Sequence, residues 1–263
     1  MPSKYEYSPF YANCIWFFVL FIASIFRLVI SPLQFVLNLL LPKQSRTSSF
    51  LSNLLQRKYN YTSFVYDLLD YPWENIYQKW RPIFVEHMKG SVVEIAVGTG
   101  RNLAFYSDDV EELIAVDISP NMIQQAKKRV KEEGLNIKKL EFRVGNAIDL
   151  HSCVASDSAD WVLSTFLFCV LPNELQLKAL QEIHRILKVG GKFRLVEINF
   201  SKISKYRAFV QWWYSPFVEW MYGAKFDRKT VEFLNQIEGL KINSMKYVSK
   251  LDTHLLIEGE KVF

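Results

Sequence analysis

Short apolar runs alternate along this chain with stretches whose apolar residues recur every three to four positions. The first clear run, 92–97, consists of β-branched and small residues interrupted only by Glu94, and it is followed by Gly98. A second run, 111–117, ends at Asp117. Runs of this length, closed by turn or polar residues, are typical of buried strands, and the three-to-four spacing is typical of helices. The pattern therefore predicts an α/β fold.

The turn after the first run has the composition of a nucleotide-binding loop. Gly98 and Gly100 allow a tight turn and a close ligand, and a helix opening after them would direct free N–H groups at that ligand. A dinucleotide fingerprint needs a third small residue where this chain has Leu103, and positions 101–102 do not continue into a P-loop. The turn favours a less anionic ligand with a ribose, and an ordinary strand–helix connection is the alternative.

The end of the second run supplies a group that suits the ribose. Asp117 follows the first turn by roughly 20 residues, the spacing at which a carboxylate accepts hydrogen bonds from ribose hydroxyls. Ser119 and Pro120 then provide an N-cap and a first-turn proline for a helix. Capping of that helix is the alternative role for Asp117.

Taken in order, these segments resemble the class I S-adenosylmethionine-dependent methyltransferases, and most closely the type-11 branch that methylates quinones and lipids. The resemblance covers roughly residues 59–200. It implies a Rossmann-like fold, a seven-stranded and mostly parallel sheet whose last two strands lie near 240–248 and 253–259. Five segments that occur in the family's order carry the resemblance: 94–100, 115–122, 145–147 after a third strand, 160–165 as a fourth strand, and 182–193 as a helix, a turn and a fifth strand.

The resemblance also implies S-adenosylmethionine as the cofactor. Asp117 would bind its ribose, Asn146 and Ala147 would lie against its adenine, and Tyr66 would approach it from a helix that covers the cleft. A helix packed on the edge of the sheet is the alternative for Tyr66. The implied cofactor-binding residues are Glu94, Ala96, Gly98, Thr99, Gly100, Asn102, Asp117, Ile118, Met122, Asn146, Ala147, Thr165 and Tyr66.

Two positions depart from the family's pattern. Ala96 stands where the family usually has glycine, and we expect binding to survive unless the φ angle there is positive. Asn146 stands where many members have aspartate. Its side-chain carbonyl can still accept a hydrogen bond from an adenine amino group, so the cofactor prediction is unchanged.

The first forty residues are strongly apolar. Between Phe10 and Ile30 the only charged residue is Arg27, and about 20 apolar residues suffice to span a bilayer. We therefore predict a spanning helix over about 10–30 and, beyond Ser31-Pro32, an interfacial helix over about 33–41. A cleaved signal peptide and a hairpin that dips into the membrane are the alternatives.

These segments divide the chain into a membrane anchor (1–44), a polar, serine-rich linker (45–58) and a methyltransferase domain (59–263). Basic residues that follow the apolar segment favour the cytosolic or matrix side for that domain. The endoplasmic reticulum and the mitochondrial inner membrane both fit, with a single-pass or monotopic arrangement.

The composition of the chain limits the classes of partner that we expect it to bind. The net charge of +5 is mild and dispersed, and no basic–aromatic pattern indicates nucleic-acid binding. The three cysteines, Cys14, Cys153 and Cys169, have no metal-ligand spacing, and their odd number argues against a disulfide framework. We expect no metal.

The residues that would bind the molecule receiving the methyl group are harder to predict from the sequence. An aromatic insertion at 201–228 follows the fifth strand, where it would stand over the carboxyl ends of the strands. Trp212, Trp213 and Phe217 are candidates for a substrate roof that also contacts the membrane, and Glu197 for a polar group in the pocket. The alternative for the aromatic residues is an ordinary position in the hydrophobic core, and the alternative for Glu197 is a solvated strand end.

No catalytic residue is assigned, because methyl transfer requires orientation and a dry site more than a fixed motif. His87, His151, His184 and His254 each suit a structural or surface position better than a base. We predict a membrane-anchored methyltransferase for a lipid-like acceptor such as a quinone precursor, a phospholipid amine or a sterol-type compound. A thiol S-methyltransferase and a non-catalytic scaffold in a membrane complex are the alternatives, and an apolar roof disfavours a protein substrate.

Overall fold

The computed structural model describes residues 20–33, 47–70, 73–74, 77–248 and 252–263. Its seven strands are β1 Gly90–Ile95, β2 Val110–Asp117, β3 Leu140–Val144, β4 Ala159–Thr165, β5 Leu187–Ile198, β6 Leu240–Tyr247 and β7 His254–Lys261. They form one sheet of order β3-β2-β1-β4-β5-β7-β6. β7 is antiparallel to β5 and β6, and the remaining pairs are parallel. The predicted seven-stranded, mostly parallel sheet is confirmed.

The helices that accompany the sheet are α1 (20–33), α2 Ser48–Leu69, α3 Arg81–Val85, α4 Pro120–Glu133, α5 Asn173–Ile186, α6 Lys205–Tyr222 and α7 Thr230–Leu234. α4 begins as predicted, since the Ser119 hydroxyl accepts the Met122 N–H at 3.1 Å. The helix predicted directly after the glycine turn is wrong: only a 3₁₀ turn, Leu103–Phe105, follows. The resemblance implies a turn within 182–193, but β5 follows α5 directly, and Gly190 and Gly191 lie inside β5 next to a register shift in its pairing with β4.

The core lies on both faces of the sheet because successive side chains of a strand point to opposite sides. On β1, Val92 packs in a cluster with Val85 of α3 and Ile123 of α4. Its neighbour Val93 packs in another cluster with Leu180 of α5. This two-sided burial explains why the central strands read as nearly continuous apolar runs.

The described part of the predicted anchor is helical and does not break at Ser31-Pro32. Residues 26–30 form a π-helical turn in which the Ser31 N–H bonds to the Phe26 carbonyl. Proline lacks an N–H and its ring clashes with the carbonyl four residues earlier. The wider turn just before Pro32 is a π-bulge of the kind that accommodates such disruptions.

α1 packs on α6. Phe26 is buried, and its ring centroid lies 5.1 Å from that of Trp220 and 6.3 Å from that of Phe217. The Trp213 indole N–H donates to the Ser24 hydroxyl at 3.0 Å. In the part of the chain described here, no helix has both the length and the apolar character needed to cross a bilayer. Positions 10–19 of the predicted spanning helix and 34–41 of the interfacial helix lie outside the described residues.

Most of the linker predicted over 45–58 is helical in the structure. Residues 48–58 form the first half of α2, whose N-cap is Thr47: its hydroxyl accepts the Phe50 N–H at 3.3 Å. The serine-rich composition therefore marks a helix start, where hydroxyl side chains bind free N–H groups. Leu51 and Leu55, one turn apart, pack into the core, which places α2 over the carboxyl ends of the strands.

Candidate active site

The carboxyl ends of β2, β1 and β4 meet at one crevice, because β1 lies between β2 and β4 in the sheet. The turn after β1 is left-handed at Ala96 (φ 62°), Gly98 (56°) and Gly100 (80°). A Cβ on Gly98 would meet no protein atom within 4 Å, whereas one on Gly100 would lie 2.8 Å from Leu103 Cδ1. Gly98 therefore leaves open space beside a ligand, and Gly100 allows the turn to pack closely.

The φ angle of Ala96 is positive, which is the condition under which we expected alanine to interfere with cofactor binding. Its φ of 62° is the left-handed region, which costs an L-residue roughly 1–2 kcal/mol. The turn is nevertheless formed, and Ala96 lines the cleft. The surrounding contacts hold the strained backbone in place.

Asp117, at the end of β2, connects this turn to the next one. Its Oδ2 accepts the Gly98 N–H and its Oδ1 accepts the Ser119 N–H, both at 2.9 Å. A carboxylate oxygen has two acceptor positions, so each oxygen retains one for a ribose hydroxyl. Burial raises the pKa of Asp117 to about 6, against the effect of the backbone N–H groups. At neutral pH the Asp117 side chain is therefore ionised and can accept two further hydrogen bonds.

The next part of the cleft suits an aromatic base. Ile118 and Met122 supply apolar surface, and Asn146 and Ala147 follow β3 on the other side. The Asn146 Oδ1 accepts the Ile148 N–H at 3.3 Å, which leaves one acceptor position on that oxygen for an amino group.

Most of the predicted cofactor residues line one cleft, while Glu94 and Gly100 lie behind it. Glu94 is buried below the turn, where it accepts hydrogen bonds from Asn102 Nδ2 at 2.7 Å and from the Tyr106 hydroxyl at 2.9 Å. Burial raises its pKa to about 7. The predicted residues that line the cleft are Tyr66, Ala96, Gly98, Thr99, Asn102, Asp117, Ile118, Met122, Asn146, Ala147 and Thr165.

A network of charged side chains that sequence reasoning missed holds the turn. Arg81 donates to Asn102 Oδ1 at 2.6 Å and, through two nitrogens, to both carboxylate oxygens of Glu74 at 2.6 Å. Arg101 donates to Glu74 and to Asp70 at 2.5 Å. The arginine in the turn is thereby joined to the end of α2 and to α3.

The same network continues along α2 to α4. Asp67 accepts from Arg101 at 2.9 Å, from the Thr99 hydroxyl at 2.7 Å and from Arg129 at 2.5 Å. Burial raises the pKa of Asp70 to about 7, with the Arg101 charge opposing it. Asp70 lines the cleft beside Arg101, so this end of the cleft presents both signs of charge, as an amino acid group requires.

A second cavity, of about 300 Å³, adjoins the cofactor cleft. We call it the aromatic cavity. Its wall from α6 includes Arg207, Gln211 and a series of residues at a spacing of four, which share one helix face. The two cavities have Tyr59, Tyr66, Asp70, Phe166 and Val170 in common. The α6 residues of that spacing are Tyr206, Val210, Tyr214, Val218 and Tyr222.

The four predicted substrate residues do not line this cavity. Trp212, Trp213 and Phe217 lie on the other side of α6, where the guanidinium of Arg27 stands 3.7 Å from the Trp212 ring centroid. Glu197 is buried beneath the site and accepts the N–H groups of residues 168 and 169 at 2.9 and 2.7 Å. It holds a loop, and burial raises its pKa to about 7.

Phe166 lies where the two cavities meet. It follows β4 with a φ of 60°, an outlier for a bulky residue that is retained only when the surroundings enforce it. Its ring lies 5.1 Å from Tyr77 and 6.1 Å from His254. Backbone strain thus coincides with the boundary between the two cavities.

Comparison with known proteins agrees with this geometry. Residues 92–191 match a family model described as a methyltransferase domain. The chain is 31% identical over 108 residues to phosphatidylethanolamine N-methyltransferase of Cereibacter sphaeroides, covering 41% of this chain and 50% of that one. It is 30% identical over 123 residues to the human thiol S-methyltransferase TMT1A, covering 47% and 48%. It is 28% identical over 155 residues to demethylmenaquinone methyltransferase of Bacteroides fragilis, covering 56% and 61%.

The matches to curated relatives are partial, reaching from 27% to 61% of the relatives' own lengths. Among solved structures, the DhpI–SAH complex superposes with a TM-score of 0.60 at 17% identity, over 82% of this chain and 98% of that one. The fold is that of the class I methyltransferases. Residues 92–191 are similar to a methyltransferase domain, and S-adenosylmethionine is the cofactor that these comparisons support.

The residues of the cleft fit this cofactor. The open space at Gly98 admits a ligand against the backbone, Asp117 has two acceptor positions free, and Asp70 and Arg101 offer opposite charges for an amino acid group. When bound, S-adenosylmethionine supplies a methyl group on a sulfonium. The protein's own part is to bind, orient and exclude water.

Gly98→Ala should weaken cofactor binding by about tenfold or more, which is 1.4 kcal/mol, because the added methyl group would enter the ligand's space. Gly134→Ala is a matched control, since Gly134 has a φ of 62°, ends α4 and also has no atom within 4 Å of a Cβ. Both variants should lose about 1 kcal/mol of stability. Calorimetric titration should show normal cofactor affinity only for Gly134→Ala; equal affinities in both variants would contradict the assignment.

Cofactor binding should weaken as the pH falls through about 6, the pKa to which burial raises Asp117. Above this pH the carboxylate accepts from the ribose hydroxyls, and below it the protonated group loses an acceptor position. Affinity should fall by up to about tenfold per pH unit. Asp117→Asn should bind weakly at every pH and lack the midpoint near 6. A midpoint that persists in Asp117→Asn would show that another group is responsible.

Proposed function

We propose that this chain transfers a methyl group from S-adenosylmethionine to an apolar small molecule that it receives at a membrane surface. The observation that carries the proposal is the aromatic cavity, which shares five wall residues with the cofactor cleft. An acceptor in this cavity would lie beside the cofactor in a site shielded from water.

The lining of the aromatic cavity supports an apolar acceptor. Most of the wall is aromatic or aliphatic, with a few polar groups that include Asp70, Arg207, Gln211 and His254. Pockets of this kind bind the apolar body of a ligand by contact and orient it through a small number of polar atoms. The names of the similar proteins are consistent with such acceptors: a phospholipid, a thiol and a quinone precursor.

Exposed apolar side chains around α1, α2 and α6 support contact with a membrane. Soluble proteins rarely leave large apolar patches uncovered, and tryptophan and tyrosine favour the membrane interface. Arg27 and Lys58 stand among them and can reach lipid headgroups. The exposed residues include Phe21, Ile25, Leu28, Val29, Leu33, Tyr61, Phe64, Leu68, Tyr206, Phe209, Trp212 and Trp220.

Methylation of a small thiol is the second candidate, favoured by the match to the human thiol S-methyltransferase. A non-catalytic scaffold fits less well. An open space at Gly98 and free acceptor positions on a buried Asp117 serve no purpose in a domain that binds no cofactor. The endoplasmic reticulum and the mitochondrial inner membrane both remain candidate locations.

Val210→Trp should abolish transfer of labelled methyl groups to apolar acceptors while leaving cofactor affinity unchanged, because the larger side chain fills the aromatic cavity. The acceptors to compare are a demethylated quinol, phosphatidylethanolamine and an apolar thiol. Val189→Trp is the control, since Val189 is exposed at the opposite end of the sheet. Label transferred equally well by Val210→Trp, or to no acceptor by the unaltered protein, would overturn the proposal.

Phe64→Glu and Phe209→Glu should each reduce binding of the protein to vesicles of phosphatidylcholine and phosphatidylethanolamine by several-fold, because a charge replaces an exposed ring. Flotation of the vesicles measures the bound fraction. Val189→Glu introduces the same charge far from this surface and should bind normally. Equal loss in all three variants would point to a general charge effect rather than to this surface.

A further inference from the structure

His254 occupies an unusual position in the wall of the aromatic cavity. It is the first residue of β7, pairs with Ile198 at the end of β5 and is 8% exposed. Its Nδ1 lies 2.8 Å from the Thr253 hydroxyl. Its Nε2 is buried and has no hydrogen-bond partner within the described ranges. A buried polar atom without a partner destabilises the fold, so a group of this kind calls for an explanation.

The surroundings of His254 are aromatic. The rings of Tyr77 and Trp80 each lie 5.0 Å from the imidazole, and that of Phe166 lies 6.1 Å away. These rings fix the plane of the imidazole. Burial lowers the pKa of His254 to about 4, so the ring is neutral at physiological pH. Two neutral tautomers are compatible with the contact to Thr253; in the one with the proton on Nδ1, Nδ1–H donates to the Thr253 hydroxyl and the lone pair of Nε2 is a free acceptor.

Phe166 lies between His254 and the cofactor cleft. Phe166 contacts the imidazole and lines both cavities, and it directly follows Thr165, which lines the cofactor cleft. An acceptor molecule in the aromatic cavity can therefore face the cofactor and reach His254 at the same time.

We infer that Nε2 of His254 accepts the hydrogen bond of the acceptor's reacting group and takes its proton, so that the acceptor is an apolar molecule carrying a hydroxyl or thiol. This inference rests on the proposed function. As the new bond from oxygen or sulfur to the methyl carbon forms, the acceptor's O–H or S–H bond breaks and the proton goes to Nε2. The electron pair of the methyl–sulfonium bond stays on the departing sulfur. The positive charge thereby passes from the sulfonium to the imidazolium, and net charge is conserved.

Binding of three probes tests the assignment: 1-naphthol, 1-naphthalenethiol and naphthalene, each titrated in the presence of S-adenosylhomocysteine. The unaltered protein should bind naphthol or the thiol about fivefold to tenfold more tightly than naphthalene, the value of one hydrogen bond in a dry site. His254→Phe keeps an aromatic ring and should lose this preference, with naphthalene affinity changed less than about twofold. His87→Phe, on an exposed histidine, should keep it.

A preference for naphthol and the thiol that survives in His254→Phe would overturn the inference, and so would failure of all three probes to bind. The relative affinity of naphthol and the thiol tells which atom the site prefers. S-adenosylhomocysteine affinity should be equal in all three proteins. If the unaltered protein does not bind it, the proposed function fails; if it binds normally and the preference persists in His254→Phe, only this inference fails.

Two further readouts separate a direct role from a structural one. The turnover number for the preferred probe should fall about 100-fold or more in His254→Phe at unchanged cofactor affinity. In the unaltered protein, the ¹⁵N resonance of His254 Nε2 should shift on addition of naphthol and stay in place with naphthalene. This measurement does not depend on the folding of a variant, and an unchanged resonance with naphthol would contradict the inference.

Discussion

The geometry of the cofactor cleft depends on the buried network of charged side chains that fastens the turn after β1 to α2 and α3. Glu94 holds Asn102, Arg81 links Asn102 to Glu74, and Arg101 binds Glu74 in turn. Buried charges are stable only when they are paired, and removing one partner costs about 3–5 kcal/mol. The network therefore keeps a strained backbone in one conformation. It also sets the position of α2, whose tyrosines form walls of both cavities.

Much of the fold could be predicted from the sequence because its signals are local. The strands that end at Asp117 and Thr165 are short apolar runs closed by polar residues, and Ser119 is an N-cap followed by proline. Errors arose where local signals are ambiguous. The serines near residue 48 suit a linker and a helix start equally well, and a glycine turn does not reveal whether a full helix or one 3₁₀ turn follows it.

The cofactor side of the site was predictable for the same reason, since the spacing between Gly98 and Asp117 is a property of one strand–turn–strand unit. The charged network was not, because the partners of Arg101 come from 27 to 34 residues earlier and resemble a solvated helix face. The substrate-binding residues that we predicted on α6 do not line the aromatic cavity. That helix carries aromatic residues all round, so periodicity could not tell that Tyr214 faces the cavity while Trp212 faces α1. The role of His254 depends on rings from two other segments, 77–80 and the residue that follows β4.

Calorimetric titration of the unaltered protein with S-adenosylmethionine tests the central claim most directly. The cleft described here, with Asp117 between two turns and open space at Gly98, predicts saturable binding of one cofactor per chain. The heat of binding should disappear when S-adenosylhomocysteine already occupies the cleft. Absence of binding at millimolar cofactor, or binding that S-adenosylhomocysteine does not displace, would contradict the account.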